Sequence, residues 1–280
     1  MPKRLRIDKT LKMYVGGKFI RSESGRTMPV ENDAGRIVNV PRGSRKDLRD
    51  AVRVARAAQA PWAAMTAYNR GQILYRLAEM LEDRLSTLPT TPADAAAAID
   101  RAVHHAGWSD KVTAVLSTIN PVALTYVNYS RIRPLGVVAA APDPADGLLG
   151  IVEALCASAV MGNGTILLVD ARRGELAVAL SEVIAVSDVP AGVVNLLTGD
   201  LDELLPRAAA HDDIDGLYLA GSAGERIRKV LDEEGARVMR RLLAVPGAEK
   251  AATPIELSKL AEVQTIWMSA YEPRGGAAAY

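Results

Sequence analysis

One cysteine, Cys156, and three histidines are all that 280 residues offer to thiol or imidazole chemistry. A lone cysteine excludes an internal disulfide and any multi-cysteine metal site. Aromatics make up only 4%, so the core must be built from aliphatic side chains and alanine. No sign of charge dominates, and the formal net charge is +1. Without a global basic field, nucleic acid is not an expected partner. Long apolar runs are also missing. The most apolar stretch, 148–169, is broken by Glu153 and by Gly162-Asn163-Gly164, which argues against a membrane span. The basic start, Pro2-Lys3-Arg4-Leu5-Arg6, is not followed by an apolar signal core. A cytoplasmic protein with neither nucleic-acid nor membrane partners is the expectation.

What is present reads as a soluble globular chain, 49% apolar and 24% charged. Two apolar runs around Gly16-Gly17 predict a β-hairpin over 13–20. Ser44, with Asp47 three residues on, predicts a capped helix carrying Leu48, Val52, Ala55 and Gln59, stopped by Pro61. A second helix is expected over 67–85, with Ile73, Leu77, Met80 and Leu81 buried. A third begins at Thr91-Pro92 and carries Ile99, Val103 and Ala106. Alternation over 125–132 predicts a half-buried strand. Beyond Pro134 short apolar strands alternate with helices. Strands are expected over 136–140, 165–169, 192–197, 216–219 and 237–245, with helices over 148–161, 176–186, 201–210 and 224–234. That order implies an α/β fold with a parallel sheet covered by helices on both faces.

The layout and residues together resemble the aldehyde dehydrogenase superfamily. The match runs from Tyr14-Val15-Gly16-Gly17-Lys18-Phe19 through Asn39-Val40-Pro41, Ala55-Arg56, Trp62 and Arg70 to Leu77-Ala78-Glu79-Met80-Leu81-Glu82. It continues at Pro134-Leu135-Gly136-Val137-Val138 and Gly162-Asn163. Its most specific segment is Val189-Pro190-Ala191-Gly192-Val193-Val194-Asn195-Leu196-Leu197-Thr198-Gly199, followed by Asp215 and Gly221-Ser222. Glu262-Val263-Gln264-Thr265-Ile266-Trp267 is similar to the family's C-terminal oligomerisation strand. Catalytic members hold a large catalytic domain between the last cofactor-domain strand and that strand, whereas here only 246–261 intervene. The chain is thus similar to the non-catalytic second domain of the family-sixteen type, here as a separate polypeptide. The segments from Tyr68 to Arg76 and Ser187-Asp188-Val189-Pro190 carry that finer likeness. The resemblance implies a Rossmann-type domain over 11–245, interrupted by an arm strand at 125–133. It also implies an oligomerisation strand over 262–270, and the end of the chain, 271–280 with Gly275-Gly276-Ala277, reads as a flexible tail.

Aldehyde oxidation in this family needs a cysteine nucleophile, oxyanion donors, a general base and a nicotinamide. Cys156 lies within an apolar helix of the cofactor half, the wrong place for the nucleophile, and reads as a small buried hydrophobe. Pro144 stands where the family has its oxyanion-binding asparagine and cannot donate even a backbone hydrogen bond. The glutamate base belongs to the absent domain. Leu168 takes the position of the ribose-contacting lysine, and Ala171 that of a nearby acidic residue. No catalytic residue and no resident cofactor are therefore expected. A remnant NAD(P) site would sit at Gly221, Ser222 and Gly224, which otherwise only shape a turn.

The other candidates read as structural. Side chains of the adjacent His104 and His105 point roughly 100° apart on a helix, so they do not share a metal. His211 with Asp212 and Asp213 reads as a solvated turn. Arg36, Arg42, Arg45 and Lys46 form a loose basic cluster, read as a soluble surface with a phosphate-bearing ligand as the alternative. Trp62 and Trp108 read as packing anchors. Trp267, with Val263 and Ile266, is a candidate interface residue on the arm.

The leading expectation is a non-catalytic subunit whose partner is a catalytic aldehyde dehydrogenase paralogue or a second copy of itself. The alternatives are an NAD(P)-dependent oxidoreductase acting on aldehydes, its site rearranged or completed by a partner, and a ligand sensor using the degenerate cleft.

Overall fold

The computed structural model describes residues 9–32, 34–123, 125–235 and 240–270. Its first elements follow from two glycines and a capping box. Strands β1 (Met13–Val15) and β2 (Lys18–Ile20) pair antiparallel across Gly16-Gly17, whose φ values are 62° and 77°. Two successive positive φ values give the tight turn that matches strand twist, and glycine adopts them without a Cβ clash. A second hairpin, β3 (Thr27–Glu31) with β4 (Ile37–Pro41), was not expected. Pro29 inside β3 weakens its strand signal.

Helix α1 (Arg45–Ala64) begins as expected. Asp47 N donates to Ser44 Oγ at 3.2 Å, and Ser44 N donates to Asp47 Oδ2 at 2.8 Å. The expected stop at Pro61 is overturned, because Pro61 lies inside the last turn of α1. Loss of one backbone donor there is tolerated because the next residue is anchored. Trp62 is buried, and its Nε1 donates to Ala159 O at 3.0 Å.

Next come α2 (Ala67–Asp83), α3 (Pro92–Trp108) and the short α4 (Lys111–Leu116). The buried stripe of α2 is Gly71, Leu74, Leu77, Ala78 and Leu81, with Ile73 and Met80 only at its margin. Gly71 sets that rotation, since a Cβ there would meet Ser109 Oγ at 2.2 Å and Ala106 O at 3.0 Å. Val103, expected inside, is 41% exposed. The face α3 buries is made of Ala95, Ala98, Ala102 and Ala106 together with Arg101 and His105.

The remaining elements are β5 (Thr118–Asn120), β6 (Tyr126–Pro134), β7 (Val137–Ala141), α5 (Gly147–Val160), β8 (Gly164–Asp170), α6 (Gly174–Ile184) and β9 (Val194–Gly199). They are followed by α7 (Leu201–Ala209), β10 (Gly216–Ala220), α8 (Ala223–Arg226), α9 (Arg228–Gly235), β11 (Arg241–Val245), α10 (Pro254–Leu257) and β12 (Ala261–Ser269). The one helix expected over 224–234 is two, separated at buried Ile227. The strand expected from 237 begins at Arg241, and residues 236–239 lie outside the described residues, as does the tail 271–280.

The main sheet has the order β11-β10-β7-β8-β9-β1-β2. Its first five strands are parallel, while β1 pairs antiparallel with both β9 and β2. The sheet is therefore mixed rather than wholly parallel, with the hairpin finishing one edge. Alternate residues of β7 point to opposite layers. Val138 and Ala140 pack with α2, α3, α5 and α6, and Val137, Ala139 and Ala141 pack with α1 and α7. Both layers are apolar, as a sheet buried on two faces requires. A separate three-stranded sheet, β12-β6-β5, forms the arm. Its strands are antiparallel, with β12 and β6 in continuous register from Ala261↔Pro134 to Ser269↔Tyr126. β5 is an addition to the expected two-stranded arm. No described helix is long and apolar enough to cross a membrane.

Pro61 is solvent-exposed, so Pro61→Ala should restore a helical donor without disturbing packing. Urea unfolding should show the variant about 1–3 kcal/mol more stable.

Candidate functional site

In open α/β sheets ligands bind beyond the carboxyl ends of the strands. Here those ends are the turns after β7, β8 and β10. After β7, Asp143 Oδ1 accepts from Ala145 N at 2.8 Å and starts a short 3₁₀ turn leading into α5. After β10, Gly221 has φ 57° and donates its N–H to Val245 O at 2.9 Å. A Cβ at Gly221 would fall 1.6 Å from Asp143 Oδ2, so that carboxylate lies directly on the turn. Ser222 is exposed and its side chain caps nothing, and Gly224 falls within α8, a helix of four residues. The structure thus brings Gly221, Ser222 and Gly224 to one turn, with a carboxylate against it.

These residues do not fit a dinucleotide. Leu168 and Ala171, which the resemblance sets at the positions of the ribose contacts, are apolar and buried in the core. A phosphate within about 4 Å of a carboxylate meets a repulsion of about 4 kcal/mol at an effective dielectric near 20.

The start of α5 is similarly taken. Asp94 accepts from Leu148 N at 2.8 Å, from Leu149 N at 3.0 Å and from Thr90 Oγ1 at 2.5 Å. The positive end of α5, a natural seat for developing negative charge, is neutralised from within the chain. In front of it opens a cleft of about 680 Å³, lined by Asn32, Arg36, Thr91, Asp146 and Arg173 among others. Its cations are engaged. Arg36 lies 3.7 Å from Glu175, Arg172 pairs with Asp170 at 2.9 Å, and Arg173 Nε donates to Pro144 O at 2.7 Å. Burial raises the pKa of Asp146, partly offset by the Ala248 N–H that it accepts at 2.8 Å. Among the described residues lining the cleft there is no cysteine, serine, histidine, lysine or tyrosine. Cys156 is fully buried in α5, and burial, reinforced by the Glu153 carboxylate, pushes its thiol far above the ordinary range.

Two retained motif residues have structural work. Asn163 accepts from Gly136 N at 2.9 Å and donates to Leu260 O at 2.9 Å, stitching the start of β7 to the approach to β12. Asp215 accepts from Val137 N at 2.7 Å and from Arg56 Nη2 at 2.6 Å.

The sequence reading missed one buried ionic cluster. Glu153, 1% exposed, accepts from Arg101 Nη1 at 2.7 Å and from Ala252 N at 2.9 Å, and its Oε2 lies 2.9 Å from His105 Nε2. Arg101 also donates to Ala248 O at 3.0 Å. Burial alone would raise the Glu153 pKa. His105, Arg101 and the Ala252 amide more than offset it, and the carboxyl is lowered to about 2. Two signals pointed here: Arg101 and His105 four apart on an alanine face, and Glu153 interrupting an apolar helix. The cluster clamps the segment after β11 onto α3 and α5. His104 stays exposed, its ring 5.4 Å from that of His105 at 84°. At the 211–213 turn His211 Nδ1 accepts from Asp213 N at 3.2 Å.

On the arm the three candidate interface residues divide between two faces. Register places Val263 and Trp267 together, 62% and 63% exposed, with Trp267 6.2 Å from Tyr126, edge to face. Ile266 lies on the opposite face beside Tyr129, with Met268, Val127 and Ile119. The outer edge of β12 has no strand partner among the described residues.

A family model described as the aldehyde dehydrogenase family matches residues 19–252. DhaS of Bacillus subtilis (strain 168), which carries an aldehyde dehydrogenase name, is 31% identical over 274 residues, covering 85% of this chain and 54% of that protein. The alpha-ketoglutaric semialdehyde dehydrogenase of the same organism is 27% identical over 282 residues, covering 94% of this chain and 56% of that protein. The NAD+ complex of an aldehyde dehydrogenase from Bacillus cereus has a TM-score of 0.77 at 23% identity, covering 85% of this chain and 51% of that one, a likeness of fold. The chain spans about half the length of the relatives it matches.

Removing one partner of a buried pair strands the other, so Glu153→Gln should cost about 3–5 kcal/mol in urea unfolding at neutral pH. Because the folded pKa is lowered from 4.5 to about 2, Glu153's contribution is complete above that upper value and is lost as pH falls through the window. The gap between the two proteins should therefore narrow across that window.

Proposed function

The chain belongs to the aldehyde dehydrogenase family, and from that premise we propose that it is a non-catalytic subunit assembling through its arm with a catalytic aldehyde dehydrogenase. The observation that carries this reading is the edge of β12. A strand of nine residues, paired on one side only among the described residues, invites a partner unless something blunts it. Ala261 to Ser269 contain no lysine and no proline, and the unbroken register with β6 leaves no bulge. Glu262, its one charge, is held by Arg241 at 2.9 Å and 3.0 Å. Exposed apolar side chains on both faces of the arm add surface that association would cover.

The cleft supports the same reading from the other side. It offers no cysteine, serine, histidine, lysine or tyrosine among the described residues lining it, its helix end is already capped by Asp94, and Asp143 covers the Gly221 turn. An oxidoreductase built on this chain would have to receive its thiol, its base and its cofactor contacts from a partner.

Native mass spectrometry of the tagged chain purified from its own cells tests the proposal. A catalytic aldehyde dehydrogenase in fixed ratio is expected, and Thr265→Pro, which breaks the outer strand, should release it while leaving the far-ultraviolet circular dichroism of the chain largely unchanged. A homodimer with no companion, or a monomer, would sink the reading.

A further inference from the structure

The end of the main sheet opposite the cofactor-type cleft carries a second depression, of about 580 Å³. Gly136 and Leu135 in its wall place it at the amino ends of the strands, just before β7. Four arginines from three elements line it: Arg56 from α1, Arg70 from α2, and Arg131 and Arg133 from β6. None of the described residues lining it carries a carboxylate.

The present engagements of these arginines leave much of their capacity unused. Arg56 Nη2 donates to Asp215 Oδ2 at 2.6 Å and to Asp213 O at 2.7 Å. Among the described residues that carboxylate is the one acid bound to any of the four, and it is also taken by Val137 N. Arg70 Nη1 donates to Met65 O at 2.7 Å, while its Nε is sealed from water with no hydrogen-bond partner among the described residues. Arg131 Nε donates to Gln264 Oε1 at 3.0 Å, a neutral acceptor. The Arg133 side chain has no hydrogen bond or ion pair among the described residues, and its register partner on β12 is Glu262, which Arg241 holds. Desolvation lowers the pKa of Arg70, the sign of a cation held partly out of water without compensation.

Grouped cations in a recess repel one another, and the arrangement is relieved when an anion enters. A guanidinium is planar, always charged, and presents its donors in a fork that matches phosphate and carboxylate oxygens. The volume falls in the range of about 300–1,000 Å³ typical of small-molecule sites. It exceeds what a single phosphate fills, and four separate forks suit several oxyanion groups. Withdrawal of Arg70 from solvent favours an occupant that enters the recess over a flat protein surface resting on its rim.

We propose that this depression binds a small polyanion, an oligophosphate or polycarboxylate, held by Arg56, Arg70, Arg131 and Arg133. The proposal does not rest on the assembly proposed above, although β6 belongs to the arm. A bound polyanion would tie β6, the central strand of the arm, to α1 and α2.

Isothermal titration of the full chain with tripolyphosphate, citrate and orthophosphate, at constant ionic strength, tests it. Tripolyphosphate or citrate should bind saturably, one per chain, and more tightly than orthophosphate. Arg133→Glu, at an exposed position, should weaken binding by roughly tenfold or more, a loss of about 1.4 kcal/mol. Arg45→Glu, an equal change of charge at an exposed position on another face, should not. No saturable binding of any probe, or equal loss in both variants, would overturn the proposal. If Arg133→Glu leaves the titration intact but breaks the assembly, acidic groups of a partner fill the recess and the small-ligand site fails.

Discussion

Glu153 is ionised where water does not reach, and that state persists only because Arg101, His105 and the Ala252 amide surround it. An isolated buried carboxylate costs several kcal/mol, so the groups that compensate it must stay together. They come from α3 and from the segment that follows β11, while Glu153 itself is on α5, and those three parts are therefore fixed relative to one another. Asp146 adds a second tie by accepting the Ala248 N–H. In full-length relatives far more chain accompanies this scaffold. Here a short segment leads from β11 to the arm, and the ionic cluster holds it against the body.

The two ends of the sheet have opposite electrostatics. At the carboxyl ends, where anionic ligands commonly settle, Asp94 and Asp143 cover the backbone amides and the glycine turn. At the amino ends four arginines line the depression, and among the described residues Asp215 is the acid bound to one of them. The fold is that of the aldehyde dehydrogenase structures it matches, with acids against the turns at one end of the sheet and arginines lining the depression at the other. Fold alone does not carry function, and here the side chains that decide it sit on turns and strand ends while the sheet itself is left unaltered.

The alternation of strands and helices was legible because each obeys a single local period. The hairpin at Gly16-Gly17, the Ser44 cap and the Thr91-Pro92 start were read from a few residues each. Failures came where distant packing overrode a local rule. Pro61 does not stop α1, because Trp62 is pinned to Ala159 across the core. Val103 faces water, because α3 turns alanines and two cationic-type side chains inward to meet Glu153. The β3–β4 hairpin was hidden by Pro29. Of the candidate site, the burial of Cys156 was readable from the apolar helix around it. The acids that occupy the vacated places were not, since Asp94 lies far in sequence from the Leu148 amide it caps. The arginine recess was equally invisible, its members being scattered over three elements.

The register of the arm has a consequence for how the molecule is made. Ser130 and Thr265 face each other across β6 and β12, yet they are 135 residues apart along the chain. Pairings of such long separation form late, because the loop between them must first be closed. The intervening residues build the whole parallel sheet from β7 to β11. During synthesis β6 waits without β12 until that body has emerged, so the outer strand becomes available for association only after the scaffold it hangs from is in place.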